Sequence, residues 1–239
     1  MKRHLLLTFL LVLAAQVALA QRTYLVAVGI SDYPGVVNDL RLPTRDAATM
    51  ANLCKNNNNA SYRFLVDEKA TSDAIKSAME TLFAKAGKND VVIFFFAGHG
   101  TPGGFVAYDE IISYDEIRKI LSKCKCKNKM VFADSCYSGE LRVEGSSSGS
   151  NSSKKQNVMF FLSSRSNEGS MELPNFKNGV FTAFLERALR GGADYDKDRI
   201  ITAKELFGFV SNGVKKATGD RQHPVMWGKF KDNMPVIKW

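Results

Sequence analysis

Two residues of this chain carry nucleophilic and proton-transfer chemistry in matching settings. His99 comes near the end of the run VVIFFFAGHG, and Cys136 falls in KMVFADSCYSG. Each follows a hydrophobic stretch, and each is flanked by glycine or serine. A cysteine thiolate attacks a carbonyl carbon, and a nearby imidazole stabilises the thiolate, takes its proton or protonates a leaving amine. Gly98, Gly100 and Gly139 let backbone N–H groups approach a substrate, so the amides of Gly100 and Cys136 are candidate oxyanion donors. Taken singly, His99 reads as a turn residue and Cys136 as a small buried hydrophobe. Their paired placement favours the catalytic reading.

The elements that must position this pair follow from the apolar patterning. TYLVAVGI from Thr23 reads as a buried strand, SYRFLV as a second, and NDVVIFFFAGHG, KMVFADSCYSG and NVMFFLSS as three more. Between them lie helical segments: TRDAATMANLC with Thr44 as N-cap, TSDAIKSAMETLFAKAG opened by Thr71 or Ser72, and SYDEIRKILSKC. GVFTAFLERALRGG and TAKELFGFVSNGVKKA follow the last strand, before a short apolar tail. TPGGFVAYDE is Gly-rich and hairpin-like. Strands that are almost continuously apolar and alternate with helices specify one α/β domain whose largely parallel sheet is covered on both faces. In such sheets the ligand crevice lies outside the carboxyl ends of the strands, where His99 and Cys136 both fall.

MKRHLLLTFLLVLAAQVALA, residues 1–20, has a basic start, an apolar run and small residues at Ala18 and Ala20. That is the pattern of an export signal, leaving one domain over 21–239 and a secreted or periplasmic location. The apolar run is shorter than a bilayer-spanning helix, so no stable membrane anchor is expected once the signal is removed. The formal net charge is +9, densest in KCKCKNK (123–129) without interleaved aromatics, which argues against nucleic-acid binding. Of the four cysteines, Cys54 is a conceivable disulfide partner for Cys124 or Cys126, and Cys-x-Cys is a poor zinc signature without further ligands. DYDKDRIITAKE fits the calcium-loop template with Asp194, Asp196, Asp198 and Glu205, but Arg199 stands where glycine is usual. The residues leave open a calcium site or a plain turn entering a helix.

FFFAGHG and VFADSCYSG closely resemble the His-Gly and Asp-Ser-Cys-x-Ser-Gly blocks of the caspase-like cysteine peptidases, especially metacaspases and bacterial caspase-family proteins. NDLRLPTRDAATM, GGADYDKDRIITAKELFGFV and DRQHPVMWG resemble further blocks of the same group, so the likeness runs from about Thr23 to Gly228. It implies a caspase-like α/β/α sandwich with a mostly parallel sheet of about six strands. It also implies an endopeptidase with a Cys136–His99 dyad, an acyl-enzyme intermediate and no cofactor in the chemistry.

In metacaspases the acids of the primary specificity pocket fall on positions matching Asp46 and Asp134. Two carboxylates favour a substrate Arg or Lys and repel an acidic side chain. The expected partners are therefore proteins or peptides cleaved after Arg or Lys. Ser163 and Ser164, at a strand end, are placed to line that pocket beside Asp134. GSSSGSNSSKK lies in a linker at about 142–156 that buries nothing. Family members are often cut there, which makes Lys155, Lys154 and Arg142 candidate self-cleavage sites. The alternatives are cleavage after Asp or another residue, and an inactive caspase-fold interaction module; the intact His99 and Cys136 argue against the latter. His223 is expected to be structural.

Overall fold

The computed structural model describes residues 21–55, 57, 59–135, 157–165 and 168–238. Residues 1–20, where an export signal is expected, the 142–156 linker and Cys136 lie outside these residues. The first half of the chain forms β1 (Thr23–Gly29), α1 (Pro43–Lys55), β2 (Ala60–Val66), α2 (Ser72–Phe83) and β3 (Val91–Ala97). Then come β4 (Gly100–Thr101), β5 (Gly104–Val106), β6 (Ile111–Ser113), α3 (Tyr114–Lys123) and β7 (Asn128–Asp134). The second half supplies β8 (Asn157–Leu162), α4 (Val180–Arg187), β9 (Ile200–Thr202), α5 (Ala203–Thr218), β10 (Val225–Lys229) and β11 (Pro235–Lys238).

Six strands make the central sheet in the order β10-β8-β7-β3-β1-β2, all parallel except β10, which runs antiparallel to β8 at one edge. Every residue of β3 is buried, because a central parallel strand is covered on both faces. Its side chains alternate between two layers. Val92, Phe94 and Phe96 pack with residues of α2 and α3, whereas Val91, Ile93 and Phe95 pack with α1, α4 and α5. The short apolar tail pairs as β10 with β8 and as β11 with β9, an identity it acquires only from its partners.

Helix starts follow local chemistry. Thr71 Oγ1 accepts from Ala74 N (3.3 Å), and Ser113 with Glu116 and Thr202 with Glu205 close full capping boxes. α1 opens at Pro43, one residue before the expected cap at Thr44, since proline's fixed φ suits the first helical position. Thr44 N instead donates to Ser31 Oγ (3.1 Å).

The cysteines correct one expectation. Cys54 packs in the layer of α1, α4 and α5, while Cys124 and Cys126 pack on the opposite face of the sheet, so Cys54 cannot bridge to either. Among the described residues no helix is long and apolar enough to cross a membrane.

Candidate active site

β3 and β7 are parallel neighbours in a register that pairs Ala97 with Asp134. Just past that pair stand His99 on one strand and Ser135 on the other, as the apolar runs require. His99 is held on three sides. Its N–H donates to Tyr33 Oη (3.0 Å), and the Tyr33 hydroxyl donates to Val106 O (3.0 Å). The two rings lie 4.8 Å apart. Burial pushes the Tyr33 phenol up, so it remains a neutral donor. His99 Nε2 is 2.8 Å from Asn38 O. A carbonyl only accepts, so Nε2 carries the hydrogen and Nδ1 is the nitrogen free to exchange a proton.

Gly98 has φ 153°, and a Cβ there would sit 2.5 Å from Tyr33 Oη, so the hydroxyl occupies space that only glycine leaves. His99 and Gly100 form part of the wall of a cleft of about 580 Å³ that also includes Pro34, Val106 and Tyr108. Val106 N donates to His99 O (3.0 Å), which makes Gly100 and Phe105 a non-hydrogen-bonded pair. Gly100 N–H therefore points away from β5 and is available to another acceptor.

Asp46, in the first turn of α1, and Asp134, at the end of β7, are 3% and 6% exposed. Asp46 Oδ1 accepts from Asn178 Nδ2 (2.8 Å) and Gly179 N (3.0 Å). Asp134 Oδ2 accepts from Thr182 N (3.1 Å) and Thr182 Oγ1 (2.7 Å). Both carboxylates meet at Gly179, where a Cβ would lie 2.5 Å from Asp134 Oδ2 and 3.1 Å from Asp46 Oδ2. Any larger residue there would intrude on the acid pair.

Burial, followed by the Asp134 charge, pushes Asp46 up to about 8, and burial also raises Asp134. The nearby cations are engaged elsewhere: Arg41 Nε with Glu172 Oε2 (3.0 Å) and Arg45 Nη1 with Lys177 O (3.1 Å). Among the described residues neither buried carboxylate has a cationic partner, an arrangement that is costly when both are charged. The helix-opening Asn178, Gly179 and Thr182 carry no motif in the sequence, and Asn38 acts through its backbone.

Ser163 is fully buried, and its hydroxyl does not face an open pocket. It donates to Ser135 O (3.1 Å), accepts from Ser135 N (3.2 Å) and contacts the Ser170 hydroxyl. Ser170 in turn bonds to Asp134. Gln222 Nε2 donates to Ser163 O (2.9 Å). Ser163 is thus a buttress for the Asp134–Ser135 segment. Ser164 Oγ donates to Glu168 O (2.9 Å), and His223 is structural, with Nδ1 2.8 Å from Glu168 Oε1. Cys136, Arg142, Lys154 and Lys155 lie outside the described residues.

At the acidic loop, Asp194, Asp196 and Asp198 each bring a carboxylate oxygen within 4.8 Å of the others. Arg199 adopts φ 66°, the left-handed conformation for which the template uses glycine, and its N–H donates to Asp194 Oδ2 (3.2 Å). The Glu205 carboxylate accepts from Thr202 N (2.9 Å), Thr202 Oγ1 (2.7 Å) and Tyr195 N (3.3 Å), so it caps α5.

A sheet of this order, with a histidine just past the end of one central strand and an aspartate ending the neighbouring strand two residues before a cysteine, is that of a caspase-like α/β protein. The family model described as caspase domain matches residues 22–234, and the chain belongs to that family of cysteine peptidases. Among solved structures, it is similar to the crystal structure of protein GSU0716 from Geobacter sulfurreducens, with a TM-score of 0.65 and 15% identity. That match covers 88% of this chain and 94% of the other, and at this identity it speaks for the fold alone. No curated protein matches the chain significantly.

Proposed function

We propose that this protein is an exported cysteine endopeptidase that cleaves after Arg, and less readily Lys, with Cys136 as nucleophile and His99 as its proton-transfer partner. The observation that supports the specificity is the buried pair Asp46 and Asp134, converging on Gly179 with no cationic partner among the described residues. A substrate guanidinium reaching that pair gains two charge-assisted partners, while an acidic side chain meets repulsion.

In this reading His99 Nδ1 takes the Cys136 thiol proton, the resulting thiolate adds to the scissile carbonyl, and the N–H groups of Gly100 and Cys136 receive the oxyanion. His99 Nδ1 then delivers a proton to the leaving amine, which departs as the acyl-enzyme forms. Asn38 O keeps the imidazole oriented through Nε2–H. Water hydrolyses the thioester with His99 as base, and no cofactor enters the chemistry.

The test is an assay of purified protein, with reductant, on fluorogenic peptides ending in Arg, Lys or Asp, with Cys136→Ala alongside. Arg cleavage lost in the variant is expected. Preferred Asp cleavage overturns the pocket assignment, and silence on every peptide points to an interaction module or an unprocessed zymogen.

Self-processing at Lys155, Lys154 or Arg142 belongs to the same proposal, since these basic residues suit the acid pair. Incubated wild-type protein should fragment while Cys136→Ala stays whole; equal fragmentation of both removes the idea. Calcium at Asp194, Asp196 and Asp198 is proposed as a stabiliser of the turn into α5, supported by the convergence of the three carboxylates. Calorimetric titration with calcium should give heat that Asp196→Asn abolishes. No heat in the wild type leaves a turn held by its own hydrogen bonds.

A further inference from the structure

At the opposite end of β7 from the acid pair, Cys124 and Cys126 form a second thiol centre. Cys124 is the C-terminal cap of α3, and Cys126 lies just before β7. Their sulfurs are 2.9 Å apart. Cys126 N–H also points at Cys124 Sγ (3.4 Å), an arrangement that favours a thiolate at Cys124. In the thiol form Cys124 donates instead to Phe83 O (3.4 Å), and Cys126 Sγ is 3.6 Å from Asn128 O.

The surroundings distinguish the two sulfurs. Cys124 lines a cleft of about 240 Å³ between α2 and α3, with Met79, Phe83 and Ile120 as apolar lining. Lys123 and Glu80 also line it, joined in an ion pair (2.8 Å). Cys126 does not line that cleft and is 3% exposed, against 8% for Cys124. The hydrogen bond from Cys126, helped by the charge of the buried Lys129, brings Cys124 down to about 7 against its burial and Asp90. The same contact and burial raise Cys126. One sulfur lines a cleft and is activated; the other is screened and adjacent. That is the division of labour between an attacking and a resolving thiol.

We propose that Cys124–Cys126 is a thiol–disulfide exchange site, separate from the peptidase centre, that takes a disulfide-bearing oxidant through the cleft between α2 and α3. Cys124 thiolate attacks one sulfur of R–S–S–R, forming a Cys124–S–S–R bond and releasing the first R–S⁻. Cys126 then loses its proton and attacks Cys124 Sγ, forming the Cys124–Cys126 bond and expelling the second R–S⁻. Two electrons pass from the cysteine pair to the oxidant, which leaves as two thiols after taking up the two released protons. The ring so closed spans only three residues and constrains the unfolded chain little, so the bond is a reversible modification more than a staple.

The experiment uses the full chain carrying Cys136→Ala, so that the peptidase thiol is silent, incubated folded with glutathione disulfide and read by peptide mass spectrometry. A Cys124–Cys126 disulfide is expected, with Cys54 still free. In a Cys126→Ser background the reaction should stop at a glutathionyl adduct on Cys124, and in Cys124→Ser no adduct should form at Cys126. Without either serine variant, iodoacetamide at neutral pH should label Cys124 at least about tenfold faster than Cys54, because Cys124 holds more thiolate and lines a cleft. Equal slow labelling of Cys124 and Cys54, or a Cys126→Ser protein that takes no glutathione at Cys124, overturns the proposal.

Discussion

A carboxyl that holds its proton more tightly in the folded chain than in the unfolded one loses stability as pH rises. Asp46 moves from 3.8 to about 8, so between those values the unfolded chain sheds a proton that the fold retains. Its contribution is most favourable below about 3.8, declines across the window and levels off above 8. Asp46→Asn should therefore raise Tm, by a margin over wild type that grows from pH 4 to pH 8 in differential scanning calorimetry. The same variant should lose about 100-fold in kcat/KM on Arg peptides, the scale of one truncated buried charge contact. For wild type, kcat/KM on Arg peptides should rise with pH through about 8, a limb absent with an uncharged residue at that subsite. Tyr33→Phe removes the hydroxyl shared by His99 N and Val106 O; a loss of about 1 kcal/mol in stability and a fall in kcat more than a rise in KM are expected. His99 and Asp134 could be placed at the ends of neighbouring strands from the apolar runs that precede them, and Asp46 in the first turn of a helix, and the structure puts them there. Asn38 could not, since its part is played by a carbonyl that every residue has, nor could Gly179, whose part is the space it leaves.

Among the elements, those with strong local codes matched their sequence patterns. β3 is legible because a strand buried on both faces must be apolar throughout, and α3 because Ser113 and Glu116 write a capping box. Ser113→Ala should accordingly cost about 1 kcal/mol in denaturant unfolding while leaving peptide kinetics unchanged. β10 and β11 were legible only as an apolar tail, because pairing with β8 and β9, not local propensity, makes them strands. The hairpin after His99 proved to be three short strands, β4-β5-β6, whose pairing turns the Gly100 N–H outward.

For the whole molecule, the alternation of strands and helices foretold one doubly covered sheet. It did not foretell how the acid pair draws on distant segments. Asn178 reaches Asp46 and Thr182 reaches Asp134, while β8 lies flush against β7. Each of these contacts joins a residue before the 142–156 tract to one after it. A chain severed within that tract would thus remain a single particle, its two pieces interlocked through a shared sheet and the buried hydrogen bonds to the acid pair. Size-exclusion chromatography of nicked protein should give the elution volume of the intact chain, although denaturing gels show two bands. The larger piece expressed alone should lack Arg-binding capacity, and supplying the smaller piece in trans should restore it.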